Sequence, residues 1–428
     1  MDGPLTIFKR SQSRKTLGSI ASLLFFGAAI SGCGSHSTLP YPTYFPASDA
    51  DSQPAERSNA FTDYLAASSD FSENLGARQI LLIKSNYTPA EEKFISKSAG
   101  RPLRKIKEGL RSGCQIPYAP EGSKAANEGR PALRLLSKVL IRRIQDACEA
   151  QSFDDAIEST VLASKFGFDL CSGLPYDASL GLVTVDEARK ALAPSLGSMS
   201  AKQLALLAKS MKTVYLNRPS MEPCFEDAAK DSLDMVQRIQ DAYRSEDYSG
   251  LSKELGTASK EILPTLKELH QESDSRRAAF FAGFAQQAKD ESEQVEKEAK
   301  MSVAQRVADE AGVVPPTGDR PWKRIARRVL GSGRPLLAMS DATDARTELL
   351  ILEAEIMLIQ KINGKTPQDL SRFSPKISTD PYSGQTFIYR TDGSDYKLYS
   401  VGDDLVDNDG ETDETFSTPD LTLETASE

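Results

Sequence analysis

Apolar residues recur with helical spacing through most of this chain, from about Phe61 to Ile362. The clearest run follows Pro131. Leu133, Leu136, Leu140 and Ile144 fall at i, i+3, i+7 and i+11, with Lys138, Arg142 and Arg143 off the stripe. A short break at Glu149-Ala150-Gln151 comes next, and Ser152 three residues before Asp155 has the spacing of a capping box. Ala156, Ile157, Val161, Leu162 and Phe168 then give a second helix its apolar face. The pattern predicts two antiparallel helices with a tight connection. Further helices are expected near 184–193, 200–215, 225–245 and 254–300, the last broken near Pro264 and Ser273.

Past Asp341 the pattern changes. A helix is expected from about Asp344 to Ile362, with Leu349, Leu352, Ile356 and Ile359 on one stripe and Asn363-Gly364 as its stop. Turn residues Asp380 to Gly384 precede two short aromatic and β-branched runs, Thr386–Arg390 and Tyr396–Val401, separated by TDGSD as a hairpin loop. Between the helical region and this unit, Ala311 to Arg334 carries Pro315, Pro316, Pro321 and Gly331-Ser332-Gly333, interrupted by the basic PWKRIARRVL. That segment reads as a short surface helix whose bases pair with the surplus of acids, and less readily as a contact with lipid headgroups.

The N-terminus has a pattern of its own. Lys9, Arg10, Arg14 and Lys15 precede the 14-residue apolar run Leu17–Ile30, which is short of the roughly 20 residues a spanning helix needs. Ile30-Ser31-Gly32-Cys33 closes it, in the order of a secretory signal. These last four residues resemble the bacterial lipobox. The resemblance implies cleavage before Cys33 and acylation of that cysteine, with several chains giving lasting attachment. Gly34 follows instead of an Asp, which points to an outer-membrane lipoprotein facing the periplasm rather than to inner-membrane retention. The next 27 residues hold Pro40, Pro42, Pro46 and Pro54 among small polar ones and read as a tether.

Charge and composition narrow the function. The chain of 428 residues carries a formal charge of −9; residues 1–32 hold four bases and one acid (+3), so the cleaved form is at −12. Such an acidic surface argues against nucleic acid. Cys114, Cys148, Cys171 and Cys224 permit two disulfides in an oxidising compartment, and buried free thiols are an equal reading. No pair has CxxC spacing. Two histidines, His36 in the tether and His270 on a charged helix, leave no His-dependent triad or multi-His metal site. GxSxG, GxxxxGK[ST] and HExxH are absent. Asp154-Asp155 reads as helix N-terminal charge, and Glu353 and Glu355 as exposed helix positions.

The ending DPYSGQTFIYR…DYKLYSVGDDLVDNDG, after a helix, resembles the C-terminal half of the major pseudopilin of type II secretion. The likeness spans about 70 residues, with Ser383 as one extra residue in the turn. It implies a calcium-binding acidic loop, and the family pattern places its acid at Asp404, with Asp407 and Asp409 as further candidate ligands. A loop dense in carboxylates suits calcium, but the spacing is not that of an EF-hand: placing Gly410 at loop position six puts Leu405 at position one. Ten acids and no base between Asp403 and Glu428 also fit a solvated tail. The lipobox stands where a pseudopilin has its filament-forming helix, which argues against incorporation into a pilus. The arrangement as a whole, with Cys114-Gln115-Ile116-Pro117-Tyr118, resembles exported lipoproteins of planctomycete-like bacteria. That likeness implies an architecture and not an activity.

The expected fold is mainly α: a helical-hairpin (tetratricopeptide-like) domain followed by a small α+β C-terminal unit with a short antiparallel hairpin. The expected divisions are 1–32 signal peptide, 33–60 lipidated cysteine and tether, 61–310 helical domain, 311–340 linker with a basic helix, 341–416 pseudopilin-like unit and 417–428 acidic tail. The expected role is a membrane-tethered envelope scaffold that meets an envelope protein partner and has no evident catalysis. An accessory factor of a secretion or pilus-like machine and a carboxylate-dependent envelope hydrolase are the other two readings.

Overall fold

The computed structural model describes residues 59–84, 86–117, 129–310, 325, 333–392, 395–411 and 420–423. The signal segment, Cys33 and the tether up to residue 58 lie outside the described residues, as does the basic segment except Ile325. Among the described residues the chain is mainly helical, with one small antiparallel hairpin near its C-terminus. No described helix is long and apolar enough to cross a membrane.

The body begins with α1 (Ala60–Leu75), α2 (Pro89–Ser98) and α3 (Gly100–Gly109). Asn59 caps α1: its Oδ1 accepts from Phe61 N at 3.1 Å and from Gln115 N at 3.0 Å, tying the start of the body to the segment after α3. Thr88 and Glu91 form a reciprocal capping box at α2. Next come α4 (Arg130–Glu149) and α5 (Phe153–Leu170), the expected pair, with Leu133, Leu136, Leu140 and Ile144 all buried. The connection is made differently from the expectation. Ser152 makes no side-chain cap. Instead Gln151 takes φ +57, and Ser152 N and Gln151 N bond back to the carbonyls of Ala147 (2.8 Å) and Cys148 (3.0 Å). Those paired bonds are a Schellman closure, so the turn is set by the end of α4 and not by the start of α5.

Helix α6 (Pro175–Leu192) starts nine residues before the expected 184, with Pro175 in its first turn. After a 3₁₀ segment (Ala193–Ser198), Ser200 and Gln203 form a second capping box on α7 (Ala201–Leu216). An antiparallel pair follows, α8 (Glu222–Ser245) and α11 (Asp274–Glu298). Two short helices, α9 (Ser249–Leu255) and α10 (Ser259–Leu269), lie between them. The expected break near Ser273 is present, but Pro264 lies inside α10 without ending it. Its missing N–H falls in the second turn, where only one backbone bond is lost.

After α12 (Val303–Glu310) comes α13 (Gly333–Asn363), which begins eleven residues before the expected 344 and takes in part of the expected linker. At 31 residues it is about 46 Å long. It ends as expected, with Gly364 at φ +71 and its N–H on the Gln360 carbonyl at 2.8 Å. A short α14 (Pro375–Ser378) leads to β1 (Ile388–Thr391) and β2 (Tyr396–Tyr399), paired antiparallel from Ile388↔Tyr399 to Thr391↔Tyr396.

Two apolar cores result. The main one joins α1–α7, the start of α8, most of α13, and Leu370, Phe373, Ile377, Tyr382, Phe387, Val401 and Leu421 of the C-terminal unit. The second lies between the outer half of α8 and α9–α11, and takes in Ile325. Val295 of α11 and Val303 of α12 also belong to the main core, so the core divides within α8 and again within α11, and the C-terminal unit shares the core of the helical body.

Candidate functional site

Two charged clusters meet at the C-terminal unit. The first is the seam along α13. Asp341, Asp344 and Glu348 stand at i, i+3 and i+7 on one face, and each is held from another element. Arg306 of α12 pairs with Asp341. Arg218, just past α7, donates to Asp344 Oδ2 at 2.8 Å and stacks on the Tyr215 ring at 3.8 Å. The Tyr215 hydroxyl donates to Glu348 Oε1 at 2.7 Å, while Glu348 Oε2 is buried without a partner. Burial pushes Glu348 up to about 9 and Asp341 up to about 7. Asp344 is also raised by burial, against the opposing pull of Arg218. Further along α13, Glu353 accepts from the Tyr396 hydroxyl at 2.7 Å and Lys212 pairs with Glu355 at 3.5 Å. Neither is the exposed position the helical pattern suggested.

The second cluster is the turn and loop of the C-terminal unit. Asp380 is buried and accepts four bonds: from Tyr382 N (2.9 Å) and Ser400 Oγ (2.8 Å) on Oδ1, and from Ser383 Oγ (3.2 Å) and Val401 N (3.3 Å) on Oδ2. The extra turn residue Ser383 thus bonds to the Asp380 carboxylate, which ties the turn to the residues that follow β2. Beyond β2 the three acids expected as calcium ligands do not share one centre. Asp404 accepts from Val406 N at 2.9 Å. Asp407 accepts from the Tyr399 hydroxyl (2.8 Å), Asp409 N (2.9 Å) and Arg390 (2.6 Å). Asp409 is paired with Arg390 and with Lys397, the latter at 3.3 Å. Among the described residues no three His, Cys, Asp or Glu side chains form a group that could hold a metal.

Asp420 is the residue that sequence reasoning missed. It was assigned to a solvated tail, yet it is fully buried. Its Oδ2 accepts from Asn408 N (3.0 Å) and Gly410 N (2.7 Å), and its Oδ1 has no partner among the described residues. Ser400 and Leu421 exchange backbone bonds at 2.9 Å, and Arg189 of α6 donates to the Leu423 carbonyl. Residues 420–423 therefore belong to the folded unit rather than to a tail beginning at 417. The signal was the alternation Leu421-Thr422-Leu423 inside an acidic run. A fit test for calcium follows from these contacts. Asp407 and Asp409 are engaged by Arg390, whereas Asp404 and the orphaned Oδ1 of Asp420 are oxygen donors without a cation. Asp404 and Asp407 lie near enough to help raise Asp420, after burial as the first cause.

The four cysteines of the described region are free. Burial pushes Cys114 and Cys224 up to about 12 and raises Cys148 and Cys171, so all four stay protonated and poorly nucleophilic at neutral pH. His270 is half-buried: it stacks on Tyr243 at 4.1 Å and its Nε2 is 3.0 Å from the Tyr248 hydroxyl. No protein-family model, curated protein or solved structure matches the chain.

Proposed function

We propose that this chain is an exported lipoprotein, acylated at Cys33 and held at the envelope, that serves as an interaction scaffold rather than as a catalyst. The observation that carries the reading is the seam of α13. Its buried acids each take a partner from another element, namely Arg306, Arg218 and Tyr215. Groups used in this way hold the C-terminal unit and the helical body in one orientation, as a rigid presenting surface requires. Glu348 has the raised pKa that keeps a general acid protonated, but it is 6% exposed and its near oxygen is taken by Tyr215. A substrate would have to part α7 from α13 to reach it.

The envelope partner suited to a body of charge −12 is a protein with a basic face, not nucleic acid. Calcium, which the pseudopilin likeness implies, would be held by Asp404 and the free Oδ1 of Asp420. There it would neutralise the loop and bind it to the end of the chain.

The anchor is tested by labelling cells that express the full-length chain with an alkyne-bearing fatty acid, and by mass spectrometry of the mature N-terminal peptide. The expected result is a mature chain beginning at an acylated Cys33, with no label on Cys33→Ser. A mature N-terminus elsewhere, or label that persists in the variant, would overturn it.

A further inference from the structure

The second core carries a cleft that the seam and the acidic loop do not explain. It lies between the end of α8 and the first turns of α11, encloses about 220 Å³, and is lined by Gln240, Tyr243, Arg244, Arg277, Ala278 and Phe281. Tyr243 and Phe281 form its aromatic wall, with ring centroids 5.0 Å apart at 60°. Tyr243 is backed by His270, stacked at 4.1 Å and 12°, and that imidazole is held in turn by Tyr248. The wall is thus braced from behind, which is what a binding surface needs to keep its shape.

The chemistry of the cleft is one-sided. Tyr243 is 8% exposed, yet its hydroxyl makes no hydrogen bond of normal geometry among the described residues. Arg277 lies close enough to that hydroxyl for the two to interact electrostatically, and is itself oriented by Asp274 and by the His270 carbonyl at 3.2 Å. Arg244 stands at the cleft's outer edge and reaches Asp241 only at 3.4 Å. A buried phenol without an acceptor costs free energy for no structural return. Beside two guanidiniums, each paired with one carboxylate at its edge, it adds a third donor to the cleft. The complement is an acceptor with negative charge and a flat apolar body that can lie against Tyr243 and Phe281.

We propose that this cleft binds a small planar organic carboxylate. The carboxylate accepts from the Tyr243 hydroxyl and the Arg277 guanidinium, Arg244 adds charge at the rim, and the ring or conjugated plane packs on Phe281. The volume limits the ligand to about the size of a benzoate, since larger drug-like ligands need roughly 300 Å³ or more.

Calorimetric titration of sodium benzoate into the full-length chain tests this, with inorganic phosphate as the second probe. Benzoate is expected to saturate with a dissociation constant of about millimolar or below. Tyr243→Phe and Arg277→Gln should each weaken it about tenfold or more, and Arg244→Gln less. Tyr243→Phe has a second readout. It removes a hydroxyl that has no hydrogen-bond acceptor among the described residues, so its thermal midpoint should equal or exceed that of the unchanged protein, whereas a structural hydroxyl would lower it. If Arg277→Gln fails to fold, Tyr243→Phe carries the test alone. No saturation by benzoate would overturn the proposal, as would binding that survives Tyr243→Phe or phosphate binding as tightly as benzoate.

Discussion

At Glu348 a single proton links pH to stability. The carboxyl is raised from its ordinary 4.5 to about 9, first by burial, with Tyr215 as its bonded neighbour and Asp344, Arg218 and Asp380 as the other charges that face it. Between those two values the folded chain holds a proton that the unfolded chain has released. Stability is therefore full below about 4.5 and falls as pH rises towards 9, by up to about 1.4 kcal/mol per pH unit. Asp341, raised to about 7, adds a fall of the same sign over the lower part of that window. Glu348→Gln keeps an acceptor for the Tyr215 hydroxyl and removes the ionisation. Urea unfolding between pH 5 and pH 9 (roughly the window just derived) should give the variant a flatter profile and greater stability at the alkaline end. Parallel profiles would mean that Glu348 is ionised in the folded state. Nothing in the sequence marked this residue as special. Acids at i, i+3 and i+7 are as compatible with a solvated stripe as with a buried one, and only the approach of α7 and α12 separates the two.

Between elements, the crossing of α5 and α6 shows how close two helices come where side chains are absent. A Cβ on Gly181 would collide with the Gly167 carbonyl oxygen and lie 3.1 Å from Cys171 Sγ, and one on Gly167 would lie 2.6 Å from the Gly181 carbonyl. Both obstacles include backbone, which cannot swing aside. Gly181→Ala should force the helices apart and destabilise the chain by about 1–3 kcal/mol, read as a lower thermal midpoint. An unchanged midpoint would mean that the crossing is looser than this geometry. The stripes of α4 and α5 were legible because burial selects apolar residues at one period, whoever the neighbour is. The turn between them was not, because the Gln151 backbone takes a left-handed conformation that its side chain does not announce. Pro264 was likewise misread as a break. A proline in the second turn of a helix removes one bond, and Ile262 and Leu266, both buried, anchor the helix around it.

For the whole molecule, the C-terminal loop decides whether the pseudopilin likeness is chemical. Calcium titrated into the chelator-treated chain should bind saturably, and Asp404→Ala should abolish that binding. Asp409→Ala should preserve it, since Asp409 is already paired with Arg390 and Lys397. No binding at millimolar calcium would leave Arg390 and Lys397 as the only cations that the loop needs. The mainly helical class, the α4–α5 pair, the α13 stop at Gly364 and the β1–β2 hairpin were all legible in the sequence alone, because each rests on periodicity or turn chemistry within a few dozen residues. The tertiary structure alone decided that the core divides within α8, that the C-terminal unit shares the core of the body, and that Asp420 is buried in that unit. It also decided that Tyr243 is left without an acceptor. Those outcomes depend on which faces meet across tens or hundreds of residues, and a local pattern of apolar and polar positions does not specify its own partner.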